Sequence, residues 1–417
     1  MLSILIKLLI LINLQFLIAD EYKFDNISFQ DANFSEERLS EIDKSFKKAI
    51  ENNEIPGVVI AIARYNKVVY LKAFGMQDKE KNIVMSTDSI FRIYSMTKPI
   101  VSAGVMILNE RGKLFLSDNL SNYIDNFTDM HIAYERKIDN KLEEILLKQQ
   151  NQIKISDLLT HTSGITYGVF GNSYAKRVLK ASKIGKLNLE NISLDNFISE
   201  LAKLPLAHDP GTTWEYGRSM EVAGKIIEKL SNKTLDNFLY INLFKPLNMN
   251  DTGFYVSKKK WNRIAEPFKS SEPELINIRN KPKFLTGGHG LVSTINDYMK
   301  FCMMLFNKGS LNDKTILSRK TIEYMTSNHL GKEINRNIPY YLPGKGYGFG
   351  LGFAIREQDG ISMWPGSKGD YYWGGYAGTY FWIDPKEELI VIMMSQSVKN
   401  RTKFRMILRN LVYEAME

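Results

Sequence analysis

The segment Phe91-Arg92-Ile93-Tyr94-Ser95-Met96-Thr97-Lys98-Pro99-Ile100 constrains this chain more than any other. It runs into an apolar stretch, Val101 to Leu108, which ends at Glu110-Arg111-Gly112. That pattern predicts a helix, and Pro99 suits its first turn, where a missing N–H does no harm. A helix starting near Ser95 puts Ser95 and Lys98 on one face, three residues apart. A serine hydroxyl is a weak nucleophile at neutral pH and needs a neighbouring base. A lysine one turn away can be that base if burial or other cations lower its pKa. The unpaired N–H groups at the start of a helix also favour a developing oxyanion.

The Ser-x-x-Lys spacing alone carries little. It recurs at Ser45/Lys48, in the charged amphipathic stretch Ser40 to Glu54, and at Ser257/Lys260, in the basic run Ser257-Lys258-Lys259-Lys260. Both read as solvated surface. Ser95 differs because it opens an apolar helix.

The chain has 417 residues, 44% hydrophobic and 24% charged, enough for a large core. The formal net charge is +9, but no basic block is interleaved with aromatics, which argues against nucleic acid as a partner. The charge reads as a basic surface with at most weak attraction to anionic membranes or cell-wall polymers. Met1 to Ala19 has the form of a secretory leader: Lys7, then the apolar run Leu8 to Ile18, then Ala19 as a cleavage point. The run is short for a membrane span, so no stable span is expected and the protein is placed outside the cytoplasm, secreted or periplasmic. An uncleaved anchor is the alternative. Cys302 is the only cysteine, so no intrachain disulfide forms, and its apolar surroundings, Tyr298 to Leu305, make it a core residue. The five histidines, at 131, 161, 208, 289 and 329, show no ligand spacing. No metal and no cofactor are expected. Phosphate-loop, dinucleotide and Gly-x-Ser-x-Gly signatures are all missing.

Ser35 to Asn52 reads as an amphipathic helix, with Ser35 as N-cap and Glu36 and Glu37 in its first turn. Val58 to Ala63 and Val68 to Phe74 read as a hairpin turning at Asn66-Lys67. Residues 113–340 read as mainly helical with long loops: Ile155 to Leu159 capped by Ser156, Leu194 to Leu204, Met220 to Leu230, Leu235 to Leu243, Asp297 to Phe306 and Lys320 to Asn328. Strands return at Gly346 to Ile355, Thr379 to Ile383 and Leu389 to Met394, and a helix over Arg401 to Glu417 closes the chain. The expected fold is therefore an α+β sandwich. Its antiparallel sheet is built from both termini, residues 20–112 and 341–417, and flanked by helices, with the mainly helical domain 113–340 inserted. The active site belongs at the seam, with loops 268–286 and 331–346 around it.

Two further stretches could carry chemistry. Pro210-Gly211-Thr212-Thr213-Trp214-Glu215-Tyr216-Gly217 is a turn-rich loop ending on a phenol, and Tyr216 could relay a proton if neighbouring cations lower its pKa. Trp373-Gly374-Gly375-Tyr376-Ala377-Gly378-Thr379 has the glycines that let a substrate approach a strand edge. The N–H of Tyr376 could there pair with that of Ser95 as an oxyanion hole. The alternatives are a packing tyrosine and an ordinary glycine turn. His161, in Thr160-His161-Thr162-Ser163-Gly164, reads as a structural turn.

These segments, in this order, resemble the serine β-lactamase-like superfamily with its penicillin-recognising fold, most nearly its class C-like esterase branch, the family VIII carboxylesterases. Phe91 to Pro99 looks like the nucleophile motif, Asp157 to Ile165 like the family's structural turn, and Pro210 to Tyr216 like the tyrosine motif. Gly287-Gly288-His289-Gly290-Leu291-Val292-Ser293-Thr294 is similar to a helix lead-in of the family. Trp373-Gly374-Gly375 falls where other members carry Lys-Thr-Gly or His-Thr-Gly.

The resemblance implies Ser95 as the acylated nucleophile, Lys98 as base or proton shuttle and Tyr216 as its partner. It places the oxyanion hole at the N–H groups of Ser95 and Tyr376, and the substrate along Trp373, Gly374 and Gly375. Two departures stand out. Arg218 occupies the third position of the tyrosine motif, where many members carry Asn or Ser. Trp373 replaces the Lys or His that binds a β-lactam carboxylate. The expected activity is serine hydrolysis of a small-molecule ester or amide, with a carboxylesterase foremost. A β-lactamase, a D-amino-acid peptidase, an acyltransferase of the same fold and a non-catalytic cell-wall-binding protein are the alternatives.

Overall fold

Ser35 sets the first element. Its hydroxyl accepts from the Arg38 N–H at 3.4 Å and caps helix α1, Glu36–Glu51, whose buried face is Leu39, Ile42, Phe46 and Ala49. The computed structural model describes residues 24–186 and 192–417, so the leader Met1 to Ala19 lies outside the described residues. After α1 come strands β1, Gly57–Arg64, and β2, Lys67–Asp78, joined at Tyr65 and Asn66 with φ of 53° and 64°. Two left-handed residues are what a tight hairpin turn of the strands' own twist requires. Short strands β3, Ile83–Val84, and β4, Phe91–Arg92, lead to helix α2, Thr97–Glu110.

Between α2 and the return to the sheet the chain forms hairpin β5, His131–Ile138, and β6, Lys141–Lys148, then helices α3, Ile155–Thr160, α4, Tyr174–Ala181, α5, Lys183–Lys186, and α6, Leu194–Leu201. Helices α7, Ser219–Ser231, and α8, Leu235–Leu239, follow. Strand β7, Val292–Ser293, pairs with β4 and runs into α9, Ile295–Phe306. A small hairpin, β8 at Ser310–Leu311 and β9 at Lys314–Thr315, precedes α10, Arg319–Met325. The C-terminal part supplies β10, Tyr347–Phe349, β11, Ala354–Arg356, β12, Tyr371–Gly374, β13, Tyr380–Asp384, β14, Leu389–Ser395, and α11, Arg401–Glu414.

The main sheet is antiparallel in the order β10-β11-β12-β13-β14-β1-β2-β3. The first and last parts of the chain meet at β1 and β14, from Val58 opposite Ser395 to Arg64 opposite Leu389. Every residue of β1 is buried, as expected of a strand covered on both faces. Helices α1 and α11 pack together, with Phe46 and Phe404 rings 5.6 Å apart, and α9 lies on the sheet, with Tyr298 and Phe381 rings 5.2 Å apart. The mixed fold, an antiparallel sheet flanked by helices, is the class the pattern predicts. The main apolar core runs from the sheet through α2 into the helical part, with two small satellite clusters beside it, one around Ile90 and Val292 and one around Tyr94 and Ala377.

Three local expectations are revised. Gly346 to Ile355 is two strands, because Gly352 takes a φ of 96° and turns the chain between them. Residues 131–148 form a hairpin inside the segment read as mainly helical. Helix α3 starts at Ile155, where the Asp157 carboxylate rather than Ser156 answers the free Lys154 N–H at 2.8 Å.

Candidate active site

Strand β4 delivers the chain to Ser95. The Ile93 N–H donates to the Leu291 carbonyl at 3.0 Å, and Tyr94 then takes a φ of 44°. A left-handed tyrosine costs about 1–2 kcal/mol, so it persists only where its surroundings hold it. They do so on three sides. Thr379 Oγ1 donates to the Ile93 carbonyl at 3.2 Å, the Tyr298 hydroxyl to the Met96 carbonyl at 3.0 Å, and the Leu291 N–H to Thr97 Oγ1 at 3.1 Å. Tyr94–Met96 is a 3₁₀ turn, and the α-helix proper begins at Thr97.

Lys98 is fully buried. Its Nζ donates to Ser95 Oγ at 3.2 Å, to the Gly288 carbonyl at 2.8 Å and to the Tyr167 hydroxyl at 3.4 Å. Three acceptors around one amine suit an ammonium. Burial works against that charge, but the oxygens of Tyr167 and Tyr216 and the Glu221 carboxylate outweigh it and hold the pKa above the usual lysine value. The lowered pKa that would make Lys98 a ready base is not what this environment produces. The Gly287-Gly288 segment matters here. A Cβ on Gly288 would sit 2.6 Å from the Glu221 carboxylate, so a larger residue there would displace that side chain beside Lys98. Glu221 itself is buried, which opposes its ionisation, but a hydrogen bond from His289 and the charges of Arg218 and Lys98 hold its pKa at about 2. His289 is shifted down by burial and neutral, with Nδ1 3.3 Å from Glu221.

Two tyrosines flank Lys98. Tyr216 arrives on the 210–217 loop, its ring centroid 4.7 Å from Lys98 Nζ, and its hydroxyl accepts from Trp373 Nε1 at 3.3 Å. Tyr167, on a segment that carries no motif of its own, is a second phenol at Lys98, its hydroxyl accepting from Nζ at 3.4 Å beside Tyr216. Burial raises its pKa and keeps it protonated at neutral pH. A Cβ on Gly217 would lie 1.7 Å from the Ile165 carbonyl oxygen, so the two tyrosine loops meet backbone to backbone. The Tyr167 and Tyr216 rings end 5.5 Å apart. His161, left-handed at a φ of 59° after α3, sets its buried ring 4.7 Å from that of Tyr216, inclined at 60° to it. Burial, with Lys98 nearby, keeps it neutral.

The glycine-rich strand end closes the site. A Cβ on Gly375 would meet Thr379 Oγ1 at 2.1 Å and the Ile93 carbonyl at 2.4 Å, so this turn lies directly against the backbone leading to Ser95. Tyr376 sits with its ring 5.5 Å from that of Tyr94, and its N–H has no hydrogen-bond acceptor among the described residues. Gly374 packs on Arg405, whose guanidinium donates to the carbonyls of Gly375 and Thr379. A cavity of about 470 Å³ opens here, lined by Ser95, Tyr216, Trp373, Gly374, Gly375 and Tyr376 together. Leu342, from the 331–346 loop, reaches it. No residue of 268–286 does, and Val169, Phe170 and α11 form those walls instead.

The other Ser-x-x-Lys copies lie elsewhere. Ser257/Lys260 is at the surface, with Lys260 paired to Asp251 at 2.6 Å. A further copy, Ser173/Lys176, spans the start of α4, and Lys176 pairs with Glu215 at 3.0 Å. Among the described residues no cluster of His, Cys, Asp or Glu could hold a metal ion, and no helix is long and apolar enough to cross a membrane.

The sequence model of the Beta-lactamase family matches residues 42–413. The chain belongs to the beta-lactamase family. Esterase EstB of Burkholderia gladioli is 29% identical over 253 residues, 60% of this chain and 59% of that protein. Lovastatin esterase of Penicillium rubens is 27% identical over 387 residues, 86% of this chain and 92% of that protein. Among solved structures, EstCE1, a hydrolase with promiscuous acyltransferase activity, superposes with a TM-score of 0.75 at 24% identity, covering 90% of this chain and 99% of that one. This family member thus shares the fold over nearly its whole described length, as the motif resemblance implied.

Proposed function

We propose that this beta-lactamase-family protein is a serine hydrolase that cleaves ester bonds through an acyl-enzyme on Ser95. The observation that carries the reading is the 3.2 Å hydrogen bond between Lys98 Nζ and Ser95 Oγ, beside two phenols and at the wall of the cavity. Ser95 Oγ attacks the ester carbonyl carbon. Its proton goes to the Lys98–tyrosine cluster, in the form that has already released one proton to solvent. The tetrahedral oxyanion accepts from the N–H groups of Ser95 and Tyr376, each such donor contributing roughly 10²–10³ in rate. The carbon–oxygen bond to the alcohol breaks, the alkoxide takes the proton back through Tyr216, and water then releases the acid by the same steps.

Two observations favour an ester over a β-lactam. Trp373 stands where a Lys or His would bind a β-lactam carboxylate, and its N–H is engaged by Tyr216. The two named sequence relatives are called esterases. We further propose, from the leader, that the enzyme acts outside the cytoplasm. The test is a fluorophosphonate probe followed by intact-mass and peptide analysis, with p-nitrophenyl esters, a chromogenic cephalosporin and a D-Ala peptide assayed in parallel. Adduct on Ser95, its loss in Ser95→Ala and fastest turnover of the esters are expected. Absence of any adduct, or an adduct at another residue, would sink the proposal.

A further inference from the structure

Four arginines line the Ser95 cavity, Arg218, Arg401, Arg405 and Arg409. Three are engaged within the protein. Arg409 is paired with Asp370, Arg405 donates to the Gly375 and Thr379 carbonyls, and Arg401 donates to the Val398 carbonyl. The Arg218 side chain donates no hydrogen bond among the described residues, although its backbone carbonyl accepts from the Glu221 N–H at 3.2 Å. Its Nε and Nη1 are enclosed without acceptors. The Glu221 carboxylate, its ion-pair partner, stands 3.8 Å from Nη1, beyond hydrogen-bond range.

That is an unusual state for a group with five N–H donors, because enclosed polar groups are nearly always satisfied. Nor is Arg218 loose. Its guanidinium lies 5.2 Å from the Tyr167 ring centroid and 5.4 Å from that of Phe197, and the side chain is only 14% exposed. Aromatic faces fix the plane of the group while leaving its donor edges unused. The charge balance points the same way. Glu221 is one carboxylate facing two cations, Lys98 and Arg218, and His289 beside it is neutral. With Lys98 protonated, two cations share one carboxylate at the Arg218 end of a largely aromatic cavity, an excess that an anionic ligand would relieve.

We propose that Arg218 is a carboxylate-binding subsite and that the preferred substrate is an ester bearing a second, free carboxylate. The carboxylate matches the planar donor fork of the guanidinium, and Nη2 is the nitrogen the protein leaves unenclosed. This rests on the serine-hydrolase reading of the same cavity.

The experiment compares paired esters. The p-nitrophenyl monoester of glutaric acid against p-nitrophenyl hexanoate places the carboxylate on the acyl side, and 4-acetoxybenzoate against phenyl acetate places it on the leaving group. In the native enzyme kcat/KM for the charged member of one pair is expected to exceed that of its neutral partner by roughly 10- to 100-fold. The pair that shows it assigns the side. In Arg218→Gln that ratio falls to near unity, mostly through KM, and Arg218→Lys restores only part of it. A second measurement needs no variant: 3-carboxyphenylboronic acid should inhibit neutral-ester turnover about tenfold more tightly than phenylboronic acid. Equal inhibition by the two boronic acids, or no charged preference in either pair, overturns the Arg218 proposal. An enzyme that takes the Ser95 probe and turns over neutral esters while failing these tests leaves the serine hydrolase standing. One that takes no probe and hydrolyses neither pair refutes both.

Discussion

At the scale of single residues, the proposed reaction makes Lys98 the group that sets the pH behaviour. Its ammonium form is favoured by Tyr167, Tyr216 and Glu221 against the opposing effect of burial. In the proposed reaction the Lys98–tyrosine cluster must lose one proton before Ser95 can lose its own. Ester kcat/KM should therefore climb steadily between about pH 6 and about pH 9. Stability does not confound the measurement through this group. A lysine whose folded pKa is raised above its unfolded value of 10.5 gives its full stabilisation below that pH and loses it only above. A flat or falling profile, corrected for spontaneous hydrolysis, would contradict the protonated resting state. The two phenols are separable by substitution. Tyr216→Phe should lower kcat by roughly 10²–10⁴, as expected for a group that passes a proton to the leaving group. Tyr167→Phe removes one acceptor from Lys98 and keeps the ring, so a loss of about tenfold is expected. If Tyr167→Phe is the more damaging change in single-turnover kinetics, the two roles are exchanged.

At the scale of elements, the site depends on backbone contacts that leave no room for side chains. Gly375 is the sharpest case, because its contacts at 2.1 and 2.4 Å are to Thr379 Oγ1 and to the Ile93 carbonyl, on the approach to Ser95. Gly375→Ala should push the strand end away from the Ser95 turn and lower kcat by about tenfold or more, since the proposed oxyanion donors, the Ser95 and Tyr376 N–H groups, would lose their alignment. Gly112→Ala is the control. Nothing lies within 4 Å of its Cβ, but its φ is 64°, so about 1 kcal/mol of stability should go, with kcat kept. Equal kinetic damage from both would mean that Gly375 acts only through stability. These contacts also mark what the sequence makes legible. Ser95 and Lys98 could be paired because they sit on consecutive turns of one apolar segment, and the terminal strands because their apolar runs are bounded by turns. Tyr167 could not be found that way. Its hydroxyl reaches Lys98 across 69 positions of sequence, only once Gly217 has closed against Ile165. Hairpin β5–β6 was hidden because charged side chains such as Arg136 and Glu143 occupy it, leaving little apolar alternation. The 268–286 loop, expected around the cavity, does not reach it, and the walls come from helix α11 and the Tyr167–Phe170 segment.

The whole molecule is held by joining its ends in one sheet and covering them with α1 and α11. The bond between α11 and the far strands is electrostatic as well as apolar. Asp370, just before β12, accepts from Arg356 on β11 at 2.6 Å and from Arg409 on α11, and Tyr347 on β10 donates to it at 2.9 Å. The three charged side chains are at most 1% exposed. One carboxylate thus answers two guanidiniums with water excluded. Removing its charge leaves two cations facing each other in the interior, where the penalty for an uncompensated ion is largest. Asp370→Asn keeps the size and most of the hydrogen bonding, so its effect isolates the charge. A loss of roughly 3–5 kcal/mol is expected from the midpoint of denaturant unfolding. The surface pair Arg319–Glu323, with 56% and 36% of each side chain exposed, is the comparison, and Glu323→Gln should leave the midpoint where it was. Because both ends of the chain share the sheet, weakening this corner should lower the stability of the whole fold in a single transition rather than release α11 alone. An early, separate loss of helix signal in Asp370→Asn would show that α11 is a peripheral cover, and a midpoint equal to that of Glu323→Gln would show that the buried charges contribute nothing.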